Sequence, residues 1–319
     1  MVSGQYLVVY QWSVVSSDCT FTNPRMGIEY QCGFGNHFES EAVVGALPRQ
    51  QNSPQQVAFG LYTEQISGSP FTVPRHSQSR SWLYRIRPSV MHSPFVRCPE
   101  AGSAVCVTPN QLRWSPFALP TAPTDFVQGL HKVCGCGSPA DRDGCAVHVY
   151  TCNSAMHNRA MQNSDGDLLI VPQLGDILLT TEFGKIAVSP GEITVVPRGV
   201  KFSVAVPHTG ARGYVCEIYD GHFELPDLGA IGSNGLANPR HFMYPVAAYE
   251  DLDTDYEIIN KFQGLLFTAH QAHSPFDVVA WQGNLAPYKY NLANFNTINT
   301  VSFDHPDPSI FTGKSPAHR

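Results

Sequence analysis

Between residues 165 and 220, short apolar runs recur at close and regular intervals (168–171, 177–180, 186–188, 193–196, 202–206 and 214–218), separated by Gly, Pro and Asp. Runs this short, bounded by turn formers, predict β-strands, and strands at this spacing predict a sandwich or barrel. Residues 45–124 hold short extended runs such as Trp82-Leu-Tyr-Arg-Ile86 among frequent Pro and Ser, which predicts short strands on long ordered loops. No sustained period organises residues 1–29, so that stretch reads as a loosely ordered N-terminal extension. Residues 222–240 are mostly turn formers yet too apolar for disorder, which predicts an ordered loop packed on the barrel.

Within the regular region, Gly191-Glu-Ile-Thr-Val-Val-Pro197-Arg-Gly199 has the spacing Gly, five residues, Pro, any residue, Gly. It resembles the second motif of cupins, in which Gly and Pro end one jelly-roll strand and begin the next. Metal-binding cupins carry a His three positions after the last Gly. Phe202 stands there in this chain, and the strand at 167–172 holds no His. A metal-free jelly roll is expected.

Composition narrows the class. Of 319 residues 43% are hydrophobic and 14% charged, against about 25% charged in ordinary domains, so a long disordered chain is excluded. Gly (26) and Pro (25) are frequent enough to favour turn-rich β structure over bundles. The net charge of −6, without a long Lys/Arg run, offers no footprint for a nucleic-acid backbone. Nine cysteines are dispersed, odd in number and preceded by no secretory leader, so reduced thiols and a cytoplasmic location are expected. No apolar stretch approaches the roughly 20 residues of a membrane helix. Neither nucleic acid nor membrane is an expected partner.

Four constellations carry candidate chemistry. His222-Phe-Glu224 would place two ligands on one face of a strand, and His270 or His273 could complete a two-His-one-carboxylate iron site; the competing reading is a loop anchored by hydrogen bonds. His270-Gln-Ala-His273 has helical spacing but no convincing helix, so two solvent-facing histidines are expected. Cys134-Gly-Cys136 lacks the gap of structural zinc or thioredoxin-like sites and reads as ordinary thiols in a Gly turn. Phe303-Asp304-His305-Pro306-Asp307-Pro308 sets a His between carboxylates, where it could act as a general base or simply sit in a capped turn.

Gly33-Phe-Gly-Asn36, Leu61-Tyr-Thr-Glu-Gln-Ile-Ser-Gly-Ser-Pro-Phe71, Arg80-Ser-Trp-Leu-Tyr-Arg-Ile86, Asn163-Ser-Asp-Gly-Asp-Leu-Leu-Ile-Val-Pro-Gln173, Thr181-Glu-Phe-Gly-Lys185, the 222–240 loop, Ser274-Pro-Phe-Asp-Val-Val-Ala-Trp281, Pro287-Tyr-Lys-Tyr-Asn291 and Phe303-Asp-His-Pro-Asp-Pro-Ser-Ile-Phe-Thr312 occur in order. Together they closely resemble the homogentisate 1,2-dioxygenase family over about residues 30–312. The resemblance implies Fe(II)-dependent opening of the homogentisate ring by O2 to maleylacetoacetate in phenylalanine and tyrosine breakdown, by homo-oligomers that are hexamers. It implies for His305 the role of proton acceptor from the substrate phenol.

The family's iron ligands, two His and one Glu, lie several tens of residues beyond the Phe-Asp-His motif, and only fourteen residues follow His305. The resemblance therefore leaves no residue of this chain as an iron ligand, no Fe(II) expected to bind it specifically, and ring opening not expected of the polypeptide as written. The alternative is a non-catalytic fragment that co-assembles with full-length subunits, or a partial gene product; a metal-free sugar or small-molecule binding cupin is a weaker third. The fold expected is all-β or mainly β: a cupin-like jelly-roll β-sandwich with long ordered loops and few short helices, plus the opening strands of a truncated second cupin-like domain. The expected division is residues 1–29 as extension, 30–285 as the N-terminal domain with its core at about 165–220, and 286–319 as the start of the second domain.

Overall fold

The six apolar runs between 165 and 220 each form a strand, in a computed structural model that describes residues 21–23, 27–48, 57–98, 108–111, 113, 115–225 and 238–295. Strands are numbered in chain order. The largest sheet runs β1 (Phe21–Asn23), β2 (Ile28–Cys32), β16 (Met243–Pro245), β20 (Tyr288–Asn291), β13 (Glu192–Val196), β10 (Asp167–Leu174), β15 (Ala211–Ile218), β8 (Asp143–Cys152) and β7 (Leu130–Ser138). A second runs β12 (Gly184–Val188), β11 (Ile177–Thr181), β14 (Lys201–Ala205), β9 (Arg159–Asn163), β17 (Tyr256–Phe262), β18 (Leu265–Gln271) and β6 (Val96–Arg97). The third is β3 (Phe38–Glu41), β19 (Val278–Gly283), β5 (Arg80–Arg85) and β4 (Tyr62–Ser67). Among the described residues, helix is confined to single 3-10 turns such as Pro239–His241. The protein is thus nearly all β.

The alternation that predicts strands also sets what they bury. In β11 Ile177 and Leu179 are fully buried while Leu178 and Thr180 are half-covered, as a period of two requires of a strand with one face in the core. β13 is buried along its whole length because β10 and β20 flank it. The core joins the sheets: Leu168 and Ile170 of β10, Val215 of β15, Phe202 and Val204 of β14 and Trp281 of β19 belong to one cluster. Burying a side chain of this size contributes roughly 1.5–3 kcal/mol.

The Gly191 to Gly199 motif does what its residue types allow. Gly191 (φ +92°) and Gly199 (φ +88°) sit in the left-handed region at either end of β13, and Pro197, lacking an N–H, ends the strand. The Gly199 amide then donates to the Asn163 carbonyl at 2.9 Å, stitching the turn to β9. Phe202, at the position of the metal-cupin His, is fully buried and meets Phe126 edge-on at 6.1 Å.

Two short strands lie in stretches that the division read from sequence sets apart. Phe21–Asn23, inside the expected extension, pairs with β2. Tyr288–Asn291, inside the expected second domain, pairs with β13 and so lies in the large sheet. The two aromatics of Tyr-Lys-Tyr-Asn suit any pleated, half-buried surface, so the choice of sheet is not written in the strand's own residues.

Candidate functional site

His222 is tied to the first residue of β10. The Asp167 carboxylate receives the His222 ring at Nδ1 (2.9 Å), the Phe223 amide (3.3 Å) and, from the β13–β14 turn, the Arg198 amide (2.8 Å). Burial disfavours a charged imidazole, but the Asp167 carboxylate outweighs it and raises the His222 pKa. The other ring nitrogen, Nε2, is enclosed: a Cβ on Gly68 would lie 2.5 Å from it. His222 lies outside any strand, so the same-face placement of His222 and Glu224 does not arise. The hydrogen bonds of His222 and Phe223 to Asp167 match the anchoring reading of His222, while residues 226–237 of the 222–240 loop lie outside the described residues.

His270 and His273 also part company. His270, next to last in β18, has its side chain exposed, 3.3 Å from Asp255. His273, expected to face solvent, is instead 5% exposed, and burial lowers its pKa. The chain turns inward after Gln271, whose side-chain amide donates to the His273 carbonyl at 2.8 Å, and carries Phe276 into the core. Cys134 and Cys136 lie within β7 rather than in a turn. Among the described residues no three His, Cys, Asp or Glu side chains are placed to hold a metal ion. His305 lies outside the described residues.

The side chains that the structure brings together are ones the sequence reading passed over. Arg85, 2% exposed at the end of β5, donates to Asp277 (3.1 Å), Glu64 (2.9 Å) and Glu182 (2.8 Å), and to the Pro275 carbonyl (2.9 Å). Burial opposes its charge, yet three carboxylates hold the guanidinium firmly protonated. Glu182 also receives the Lys201 backbone amide at 2.8 Å and its ammonium at 3.4 Å; against burial, Lys201 and Arg85 keep its pKa low. Arg85, Glu64, Glu182 and Lys201 line a cavity of about 380 Å³, but their charges are taken up by one another. Their chemistry is that of a brace joining β4, β5, β14 and the approach to β19.

A second brace crosses from the first sheet to the second. Glu217 of β15 accepts from Lys261 of β17 (2.7 Å) and Asn163 of β9 (2.7 Å) and meets His148 of β8 at 3.0 Å; Lys261 also reaches Asp165 at 2.6 Å. Despite burial, these partners hold the Glu217 carboxyl down at about 2. Lys289 of β20 likewise bonds Glu192 (2.9 Å) and the Ala187 carbonyl (2.7 Å). The signal available in sequence was a charged residue inside an apolar run, as in Val-Cys-Glu217-Ile, Ile-Asn-Lys261-Phe and Tyr-Lys289-Tyr. A charge there must be paired.

Solved structures that resemble parts of the chain include a cupin domain from Bordetella pertussis (18% identity, covering 31% of this chain and 98% of that one, TM-score 0.24). Another is a cupin 2 conserved barrel domain protein from Leptotrichia buccalis (10% identity, 54% and 89%, TM-score 0.26). The family model "Homogentisate 1,2-dioxygenase N-terminal" matches residues 29–292, and its partner "Homogentisate 1,2-dioxygenase C-terminal" matches residues 293–318. With nearly the whole sheet assembly inside the first match, the chain belongs to the homogentisate 1,2-dioxygenase family.

Proposed function

We propose that this chain is the N-terminal scaffold of a homogentisate 1,2-dioxygenase and that the 319-residue polypeptide does not open the homogentisate ring by itself. The observation that carries this is the arrangement of the histidines. His222 is committed to Asp167, His270 faces solvent and His273 is buried elsewhere, so no described cluster offers a metal site. Ring opening in this family depends on Fe(II) holding the substrate's oxygen donors and O2 together, a template that a lone base cannot replace. His305 keeps its proposed role as acceptor of the substrate's phenolic proton, a role that rests on the Phe-Asp-His motif.

The scaffold reading also proposes how the chain acts: by co-assembly with subunits that carry the iron ligands. One core shared among three sheets supports it, because such a body can dock as a unit. An oxygen electrode tests the first claim. The purified chain, supplied with Fe(II), ascorbate and homogentisate under air, is expected to consume O2 no faster than the protein-free mixture. Uptake above that background, abolished by a chelator, overturns it.

A further inference from the structure

β7 and β8 form the hairpin at one edge of the largest sheet, and in their register Cys136 stands directly opposite Cys145. Directly opposed residues on antiparallel strands share a face, with Cα atoms about 4.5–5.5 Å apart. That falls inside the roughly 4.4–6.8 Å window that a disulfide accepts without backbone movement. The two Sγ atoms are 3.7 Å apart. The next pair in register is Gly137 with Gly144, and the strands come close there because neither carries a side chain: a Cβ on Gly144 would lie 2.2 Å from the Cys136 carbonyl oxygen. Cys136 is exposed and Cys145 half-buried.

Two further thiols stand nearby. Cys134 and Cys216 both face Val147, one from β7 and one from β15, which puts them on the same face as Cys145. Neither competes for the bond. Cys134 and Cys136 are two residues apart on one strand with parallel side chains, so their Cβ atoms stand about 6.6 Å apart against the roughly 3.5–4.5 Å a disulfide needs, and Cys134 is diagonal to Cys145, about 7–8 Å between Cα atoms. Cys216 is diagonal to Cys145, about 7–8 Å between Cα atoms, beyond disulfide reach.

We propose that Cys136 and Cys145 form a modification site, a cross-strand dithiol that hydroperoxides oxidise to an intramolecular disulfide. The Cys136 thiolate attacks one peroxide oxygen; the S–O bond forms, the O–O bond breaks, and the departing hydroxide takes up a proton to leave as water, or as an alcohol from an organic hydroperoxide. The Cys145 thiolate then attacks the Cys136 sulfenic sulfur; the S–S bond forms, the S–O bond breaks, and water leaves. Two thiols lose two electrons and two protons, and one peroxide is reduced. Burial and the adjacent thiols push the Cys145 thiol pKa up, which suits Cys136 to the first attack and Cys145 to the second. The product fastens the edge strand β7 to its neighbour.

The test treats the full chain with equimolar hydrogen peroxide, alkylates it in denaturant and digests it with trypsin. Arg142 lies between the two cysteines, so the disulfide holds two tryptic peptides together. The expected result is a linked pair whose fragments place the bond on Cys136 and Cys145, a loss of two thiols per chain, and recovery of both with dithiothreitol. In Cys136→Ser and Cys145→Ser the linked pair is absent, while Cys134→Ser keeps it. A bond placed mainly on Cys134 or Cys216, a link between chains, or sulfinate without a link overturns the proposal.

Discussion

Asp167 shows how one carboxylate settles the fate of a histidine that sequence alone leaves open. Nothing in His222-Phe-Glu224 says that residue 167, 55 positions away, will receive the ring. Removing that charge leaves burial and Arg198, which lower the His222 pKa, against only the smaller effect of a hydrogen bond to the Gly68 backbone, which raises it. In Asp167→Asn the His222 pKa, followed by NMR titration, is therefore expected to fall below the ordinary 6.5; a value still above it would mean that Asp167 is not the cause. Since the raised pKa means that the folded state binds the proton more tightly, this pair adds stability below pH 6.5. That contribution is lost as the pH rises through the folded value. Arg85 makes a stronger case. Arg85→Leu strands Asp277 in the interior without its cation and leaves Glu182 with Lys201 alone, and breaking a buried pair in this way costs about 3–5 kcal/mol, read as a lower urea midpoint. A loss under 1 kcal/mol would make the brace incidental.

At the scale of elements, the strands between 165 and 220 were legible because their signals are local: an apolar run, a glycine, a proline. The Thr181-Glu-Phe-Gly-Lys185 corner shows this. The Thr181 hydroxyl donates to the Gly184 carbonyl at 2.8 Å and accepts from the Phe183 amide at 3.1 Å, while Gly184 (φ +131°) passes so near β16 that a Cβ would lie 2.0 Å from the Val246 carbonyl oxygen. Gly184→Ala is expected to cost at least 1–3 kcal/mol, about the strain of one forbidden backbone conformation, by chemical denaturation. An unchanged midpoint would contradict that. Partner choice was not legible. β17 pairs in parallel with β9 across about a hundred residues, and β19 joins β3 and β5 from the other end of the chain. Such pairings depend on the shape of the whole core. The burial of His273 follows from the same long-range packing, which its own neighbourhood of Ser and Pro conceals.

For the molecule as a whole, the two sheets meet across buried charge as well as apolar surface, and that makes stability depend on acid. Glu217 has a folded pKa of about 2 against an ordinary 4.5, so its contribution, roughly 3 kcal/mol, is present above pH 4.5 and lost as the pH falls toward 2. Unfolding by acid is expected to steepen in that window, and Glu217→Gln to flatten it; matching profiles for the two proteins would remove Glu217 from the account. Membership of the homogentisate 1,2-dioxygenase family was legible from motifs spread along the chain, and the family matches over residues 29–318 agree with it. The braces were not legible, because pairing partners lie far apart in sequence. Among the described residues no helix is long and apolar enough to cross a membrane. The most direct test of the scaffold reading is anaerobic equilibrium dialysis of the full chain against Fe(II). Iron well below one per chain, unchanged in His222→Ala, is the expected result. One tightly held iron per chain, lost in His222→Ala, would contradict it and make His222 a ligand after all.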